Sequence, residues 1–309
     1  MWSCRFTSQQ LRATLRYRRS GRPLWRRAFT SVPSDAWDSH MHVIDPVNFP
    51  LSRSATYTPH TALLAEALEN AAKLQLPNLV LVQPSPYGLD NSCLLDALDR
   101  VGPDRGRGVV AFDPASTSLQ TLRDWHERGV RGVRVNLKSV GREMEPKALV
   151  EMLRSYVEAI RPLRSWVLEL FVDMSVVPHL EPVQAELDGI KLVLAHLGAP
   201  ARLKWPLHDM PGWSHFRKFM ENPDFYVKVS APYRLSKDPE FRDLEGLVKE
   251  SLGARGGNAV LFASDWPHTR FEAVDVQPWI TKCLEWCGRD QALRDKLFRD
   301  NAKILWDVQ

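Results

Sequence analysis

The sequence predicts an α/β protein folded as a single (β/α)8 TIM barrel over residues 30–309. Eight short apolar runs recur along the chain, and helix-like segments separate most of them. The runs are almost continuously apolar, as strands buried on both faces are. Eight such units in about 275 residues suit this barrel, which typically needs about 250.

The elements follow one another in order from the end of a basic leader to the last residues. The predicted strands are 37–43, 78–84, 107–112, 130–136, 166–172, 190–196, 225–230 and 259–264. The predicted helices are 61–74, 90–100, 118–128, 146–160, 240–252 and 276–287, with a closing helix at 291–306. Asp90-Asn91 and Asp113-Pro114 are typical helix-entry residues. The Pro- and Trp-rich stretch 198–215 is predicted to be a long loop after the sixth strand, where barrel loops build pockets.

A doubly wound open sheet is the competing architecture, since it also alternates strands and helices. It usually carries a Gly-rich phosphate loop, and neither GxGxxG after the first strand nor a P-loop motif occurs here. A GxSxG nucleophile elbow is also missing, so a serine α/β-hydrolase is not supported.

Residues 1–29 have the composition of a mitochondrial transit peptide, which predicts a matrix location. The first 34 residues contain eight Arg and no Lys, Asp or Glu, and no 7–15-residue apolar segment suggests secretion. Arg27-Ala28-Phe29 followed by Thr30-Ser31 also resembles a matrix-protease cleavage site. The alternative is a basic tail that binds nucleic acid or membrane.

The formal net charge of +4 belongs to this leader rather than to the barrel. Of the 41 basic residues, 33 lie beyond residue 34, together with all 37 acidic ones, so the remainder is net −4. A nucleic-acid-binding body is therefore not expected. No apolar run approaches 18 residues, which argues against a membrane span, and four Cys are too few for a disulfide scaffold. The oligomeric state is left open.

Candidate catalytic residues follow three predicted strands. His40 and His42 end the first strand, and alternation on a strand turns both imidazoles toward the barrel axis. Such a pair can bind a divalent metal or stabilise an oxyanion, or it can be a surface or capping pair. His196 ends the sixth strand, and Asp265 ends the eighth as a candidate general base or turn cap. His268, beyond that strand end, is expected to be structural.

Candidate substrate-binding residues surround this set. Arg134 lies inside the apolar fourth strand, where a guanidinium needs an anion, either a substrate carboxylate or Glu169 on the fifth strand. The other candidates follow strands or lie in the first long loop, and each can grip a ligand or simply pack: Arg234, Ser85, Tyr87 and Tyr57. Cys283 and Cys287, one helical turn apart, are expected to be buried structural thiols.

These residues, in this order, resemble the amidohydrolase superfamily, and more narrowly its amidohydrolase-related branch that includes lactonases of pyrone dicarboxylates. The resemblance covers roughly residues 37–306. The motifs are DSHMHVID (38–45), LVQPSPYGLDN (81–91), GVRVN (132–136), AHLG (195–198), APYR (231–234) and SDWPH (264–268). It implies a barrel hydrolase with His40, His42, His196 and Asp265 in its site.

The resemblance also bears on the metal. Much of the superfamily binds one or two divalent ions, but Glu169 stands where the fifth strand would supply a His ligand, and the fourth strand shows no carboxylated-lysine position. Two metals are therefore not expected. The cofactor prediction is none or one divalent ion, Zn²⁺, held by His40, His42 and Asp265. The branch also implies a second basic residue beyond the fourth strand, where this chain has Ser139-Val140 after Lys138.

The sequence thus predicts hydrolysis of a small carboxylated lactone or related cyclic ester. Arg134, Arg234, Ser85 and Tyr57 would hold a substrate carboxylate, the three histidines would polarise the carbonyl, and Asp265 would deprotonate water. One alternative is a metal-dependent decarboxylase of an aromatic or muconate-type acid. Another is a non-catalytic barrel that binds small acids.

Overall fold

The structure is a computed structural model that describes residues 31–271 and 273–308. The predicted targeting segment, 1–29, lies outside the described residues. Eight parallel strands pair in chain order, which confirms the predicted (β/α)8 TIM barrel. The strands are β1 Trp37–Met41, β2 Asn78–Val82, β3 Gly106–Val110, β4 Val130–Asn136, β5 Val167–Phe171, β6 Lys191–Leu194, β7 Phe225–Val229 and β8 Val260–Phe262.

The barrel is closed by the chain segment that follows β8. Met41 forms a parallel bridge with Trp266. The N–H of His42 donates to the carbonyl of Trp266 at 2.8 Å, and the N–H of Asp265 donates to the carbonyl of His40 at 2.9 Å. Closure therefore brings the end of β1 directly beside the residues after β8.

Helices follow the strands and cover the outside of the barrel. They are α1 Leu64–Leu74, α2 Ser92–Val101, α3 Leu119–Glu127, α4 Pro146–Ile160, α5 Glu181–Gln184, α6 Trp213–Met220, α7 Glu245–Gly253, α8 Gln277–Trp286, α9 Gln291–Asp295 and α10 Asn301–Leu305. None of the described helices is long and apolar enough to cross a bilayer.

Two segments differ from the sequence-based expectation. The predicted closing helix over 291–306 contains a π-helical turn, Lys296–Asp300, between α9 and α10. The buried amide of Asn301, just after this turn, donates to the carbonyls of Gly257 and Val260 and so fixes α10 to the start of β8. The expected loop 198–215 ends early, because α6 begins at Trp213.

The core has two layers, set by the alternation of side chains along the strands. Leu168 and Leu170 of β5 pack outward in one large cluster with helix residues such as Leu153. Val167 of β5 faces the other way, into a smaller cluster that includes Trp306. Glu169 lies two residues after Val167 on the same strand, so its carboxylate also points inward, among the side chains that fill the barrel.

Candidate active site

Four predicted catalytic side chains meet at the carboxyl ends of the strands. Oδ1 of Asp265 lies 3.6 Å from Nε2 of His40 and 3.7 Å from Nε2 of both His42 and His196. All four residues are buried. The convergence follows from closure, which pairs the backbone of Asp265 with His40, and from β6, which ends beside them.

The positions of these atoms suit a single divalent ion. One ligand atom each from His40, His196 and Asp265 lies within 4.8 Å of the others. Two ligands of a tetrahedral zinc with bonds of about 2.1 Å lie about 3.4 Å apart, close to the separations seen here. This group contains His196, whereas the predicted ligand set contained His42, which contacts the same carboxylate oxygen.

Hydrogen bonds fix the ring of His42 as an acceptor on its cavity side. Its Nδ1 lies 2.7 Å from the carbonyl oxygen of Val82, and a carbonyl can only accept, so Nδ1 carries the proton. Burial, followed by the positive charge of Arg134, lowers the pKa of His42 to about 4. The imidazole is therefore neutral at pH 7, and its Nε2 presents a lone pair.

His196 is held in a similar manner by a different partner. Its Nδ1 lies 2.8 Å from Oγ of Ser230, at the end of β7. Burial lowers the pKa of His196 to about 3, against the opposing effect of Asp265. The ring also packs edge-to-face on Phe171, with centroids 4.7 Å apart. His196 is thus a fixed, neutral imidazole.

Asp265 is an oriented carboxylate with one free edge. Its Oδ2 accepts from the Tyr233 hydroxyl at 2.6 Å and from Nε of Arg234 at 3.0 Å. Burial acts to raise the pKa of Asp265, but His196, Arg234 and the other imidazoles hold it well below its ordinary value. The group is ionised at neutral pH, and Oδ1 is the oxygen left to act on a ligand.

A narrow cavity of about 30 Å³ opens beside Oδ1 of Asp265. It contains most of the substrate-binding residues predicted from the sequence. Its lining includes Tyr57, Ser85, Arg134 and Arg234, together with His42 and His196. A cavity this small limits any ligand to a small molecule and excludes a polymer.

Arg134 brings unsatisfied hydrogen-bonding capacity to this cavity. It is buried, and it donates from one terminal nitrogen to the carbonyl of Gln83 at 2.7 Å. Its Nε has no partner among the described residues. The predicted alternative partner, Glu169, instead pairs with Lys228 at 2.5 Å. A buried guanidinium with an unpaired N–H is a binding group for an anion.

Three predicted residues, His40, Tyr87 and His268, lie outside the lining. Tyr87 packs in the large cluster between the strands and the helices, and its hydroxyl accepts from the N–H of Asp45 at 2.9 Å. His268 packs edge-to-face on Tyr233, with centroids 5.4 Å apart, which agrees with a structural role. Cys283 and Cys287 are buried free thiols, and burial raises the pKa of each.

Sequence reasoning missed several residues that the structure brings into the site. Ser139, Phe171 and Arg270 line the cavity, and Tyr233 holds Asp265. Lys228 is the fourth of the five residues of β7, and its Nζ lies 3.2 Å from Nδ1 of His40. A lysine inside the apolar run FYVKV is the same signal that identified Arg134, and it points to a buried anion.

Comparisons with known proteins agree with the barrel fold. The model of the amidohydrolase family matches residues 37–308. The chain belongs to the amidohydrolase family. A 2-pyrone-4,6-dicarboxylate hydrolase from Comamonas testosteroni is 29% identical, over 89% of this chain and 91% of the relative. A 4-sulfomuconolactone hydrolase from Rhizobium radiobacter is 27% identical, over 90% and 92%.

A solved structure is similar over the same length. A candidate 2-pyrone-4,6-dicarboxylic acid hydrolase from Pseudomonas putida superposes with a TM-score of 0.77 and is 29% identical, over 90% of this chain and 99% of that one. Those two curated relatives of this amidohydrolase are named as hydrolases of lactones, which are cyclic esters.

The charge around the cavity of this amidohydrolase is uneven. Beyond β4, the ammonium of Lys138 pairs with Asp173 at 2.5 Å and does not line the cavity. Ser139 lines that edge and shares a hydrogen bond with Ser85 at 3.0 Å. The β4 side therefore combines the guanidinium of Arg134 with the hydroxyl groups of Ser85 and Ser139, whereas Arg234 and Arg270 enter the lining from the segments after β7 and β8.

Asp38, buried on β1 beside the site, makes the stability of this amidohydrolase pH-dependent. Its Oδ1 accepts from the N–H of Ser264 at 2.9 Å, and its Oδ2 has no hydrogen-bond partner among the described residues. Burial raises the pKa of Asp38 to about 6. Because the pKa of Asp38 is higher in the folded protein than in the unfolded chain, the folded state binds the proton more tightly. The stability that the protonated Asp38 contributes is therefore lost as pH rises from about 4 through about 6.

We therefore expect Asp38→Asn to stabilise the protein at high pH. A shift of about two units corresponds to at most about 3 kcal/mol of unfolding free energy at pH 8. Thermal melts at pH 8 and pH 4.5 test this, with the exposed Asp104→Asn as control. Equal changes in Tm at both pH values would show that Asp38 is not ionised at a cost in the wild type.

Proposed function

We propose that this protein hydrolyses a small lactone, or a related cyclic ester, that carries a carboxylate. The observation behind the proposal is the free Oδ1 of Asp265, which faces three neutral imidazoles at 3.6–3.7 Å beside an unpaired guanidinium edge. A carboxylate base, hydrogen-bonding imidazoles and an anion-binding Arg are the groups that ester hydrolysis of an acid requires. The names of the curated relatives support the same class of reaction.

In the proposed mechanism, Arg134 binds the substrate carboxylate and sets the ring carbonyl among the imidazoles. Water lies between Oδ1 of Asp265 and the carbonyl carbon, and the lone pair on Nε2 of His42 orients it. Asp265 takes one proton as the water oxygen attacks, which produces a tetrahedral oxyanion. When the ring C–O bond breaks, Asp265 returns the proton to the leaving oxygen, and the product is an open-chain acid.

The residues around Asp265 keep it suited to this cycle. Tyr233 and Arg234 bind Oδ2, so Oδ1 alone is aimed at the water. His42 cannot donate to the oxyanion while Nδ1 carries its proton, so donation of a hydrogen bond to the oxyanion falls to His40, whose Nδ1 accepts from Lys228. This differs from the sequence-based assignment, in which all three histidines polarised the carbonyl.

The proposal allows for one divalent ion. His40, His196 and Asp265, whose ligand atoms lie within 4.8 Å of one another, would hold it, with His42 as a further predicted ligand. A Zn²⁺ ion would supply Lewis-acid polarisation of the carbonyl. Metal analysis of the purified protein, followed by activity before and after chelation and on return of Zn²⁺, tests whether the reaction depends on it.

The distribution of charge in the cavity indicates how many carboxylates the proposed substrate carries. The hydroxyls of Ser85 and Ser139 suit a neutral polar group at the β4 edge, where the branch would imply a second basic residue. We therefore expect a monocarboxylated lactone to be preferred to a pyrone dicarboxylate.

A lactone panel with mass analysis of the products tests the function. The panel should contain matched rings with no carboxylate, one carboxylate and two. We expect a ring-opened acid that retains every carbon and takes up one oxygen from H₂¹⁸O. Release of CO₂ would identify a decarboxylase instead. Tight binding of acids with no turnover on any ring would indicate a non-catalytic barrel.

We also propose that the protein is imported into the mitochondrial matrix, on the basis of the Arg-rich, acid-free composition of residues 1–29. The full chain with a C-terminal fluorescent tag should colocalise with a matrix marker. The same chain with the eight leader arginines changed to Gln is the control. Nuclear or membrane staining of the wild type would favour the alternative of a basic binding tail.

A further inference from the structure

Beneath His40, the barrel contains a buried ion pair that the proposed chemistry does not use. Lys228 of β7 and Glu169 of β5 are both fully buried, and Nζ of Lys228 lies 2.5 Å from Oε2 of Glu169. The Lys228 ammonium also lies 5.2 Å from the ring centroid of Trp306, which is part of the inner core. Buried charges of this kind are costly unless they are fully paired, so their placement beneath a catalytic side chain calls for an explanation.

This pair contacts the catalytic histidine on its inner nitrogen. Nζ of Lys228 is hydrogen-bonded to Nδ1 of His40 at 3.2 Å. Oε1 of Glu169 is 3.1 Å from the same nitrogen, yet it makes no hydrogen bond within residues 31–271 and 273–308. An ammonium can only donate, so Nδ1 must accept and cannot carry the proton.

The consequence appears at the outer nitrogen of the ring. Neutral imidazole has one proton, and with Nδ1 as the acceptor that proton lies on Nε2. Nε2 of His40 has no hydrogen-bond partner among the described residues, and it points toward Oδ1 of Asp265 at 3.6 Å. His40 thus differs from His42, whose Val82 partner forces the opposite tautomer.

We propose that Lys228 is a positioning residue that holds His40 in its Nε2–H tautomer, so that His40 donates a hydrogen bond to the reacting oxygen rather than ligating a cation. The role in the reaction rests on the proposed hydrolysis, whereas the tautomer does not. In this tautomer Nε2 has no lone pair for a metal, so the donor chemistry of His40 does not fit an ion even though its position does. A metal could use His40 only after the proton had moved to Nδ1, against the Lys228 ammonium.

Glu169 holds Lys228 in the position from which it contacts His40. It neutralises Lys228 and keeps Nζ against the inner core beneath His40. If Lys228 is replaced by an apolar residue, Oε1 of Glu169 is close enough to accept from a protonated Nδ1. The tautomer then reverses, and Nε2 gains the lone pair that a metal requires.

The test is imidazole ¹⁵N–¹H NMR of the full chain without substrate, with the His40 signals assigned by their loss in His40→Asn. We expect wild-type His40 to show a protonated Nε2, and Lys228→Met to show a protonated Nδ1. Lys228→Met should also bind Zn²⁺ at least tenfold more tightly, and its kcat should fall more than its KM changes. Lys191→Met is the matched control, because it removes a lysine of β6 that is paired with Asp224. It should leave the His40 tautomer unchanged.

Because Lys228→Met leaves a buried carboxylate unpaired, Glu169→Met/Lys228→Met is the second variant, and an apolar pair of similar volume is often tolerated in such a place. In it we expect His40 to lose its strong preference for Nε2–H. A protonated Nδ1 in the wild type, or an unchanged tautomer in both variants, would overturn the proposal. A protonated Nε2 in a protein that opens no lactone would overturn the proposed function alone.

Discussion

Asp265→Asn is expected to lose turnover by a factor of about 10² to 10⁴, the usual contribution of a general base. The amide cannot take a proton from water, although it can still accept from Tyr233 and Arg234. Asn is the right replacement because Asp265 has a φ of +63°, a conformation that Asn tolerates better than other side chains. Steady-state kinetics on the best lactone of the panel measure the loss.

The fold of this variant should be unchanged, because the barrel-closing bond from residue 265 is made by its backbone N–H. Circular dichroism and thermal melting check this point. Asp99→Asn, which removes an exposed ion pair on α2, is the control and should keep full activity. Turnover within a few-fold of wild type in Asp265→Asn would remove Asp265 from the mechanism.

Arg134→Met is expected to lower kcat/KM for a carboxylated lactone by about 100-fold. Hydrogen bonds to charged groups are worth about 1.5–3 kcal/mol each, and Met keeps the apolar stem of the side chain while removing the donors. The change should fall mainly on KM, because Arg134 binds the substrate carboxylate in the ground state as well as in the transition state.

The comparison that decides this prediction is between two substrates. The same lactone without its carboxylate should be hydrolysed poorly by both enzymes, with little difference between them. Arg131→Met on the same strand is the control, since Arg131 contacts His126 and Asp307 away from the cavity. An equal loss on both substrates would mean that Arg134 supports the fold of the site rather than the carboxylate.

The two strongest structural predictions from the sequence concern the strands and the ends of the strands. Apolar runs predicted all eight strands because a strand covered on both faces leaves little room for polar residues. The same rule made His40, His196 and Asp265 conspicuous, since each interrupts or ends such a run. Their convergence then followed from the fold class, because all parallel strands of a barrel end at one face.

Other features followed long-range contacts that local patterns do not encode. The expected pairing of Arg134 with Glu169 was reasonable, because these residues are neighbours in the β4–β5 register. Lys228, 59 residues further along the chain, takes the carboxylate instead. The side chain of Asn301, just after the π-helical turn, likewise donates to the carbonyls of Gly257 and Val260, about 40 residues earlier.

The sequence by itself determined the barrel, the order of its strands and the set of groups at its carboxyl end, because apolar periodicity is a local property of the chain. Only the tertiary structure decided which ring nitrogen carries the proton in His40 and in His42. That choice depends on single hydrogen bonds from distant strands: the Val82 carbonyl for His42 and the Lys228 ammonium for His40. The physical reason is that a ring nitrogen donates when its nearest partner can only accept, and accepts when that partner can only donate. Closure of the barrel determines which partner is nearest.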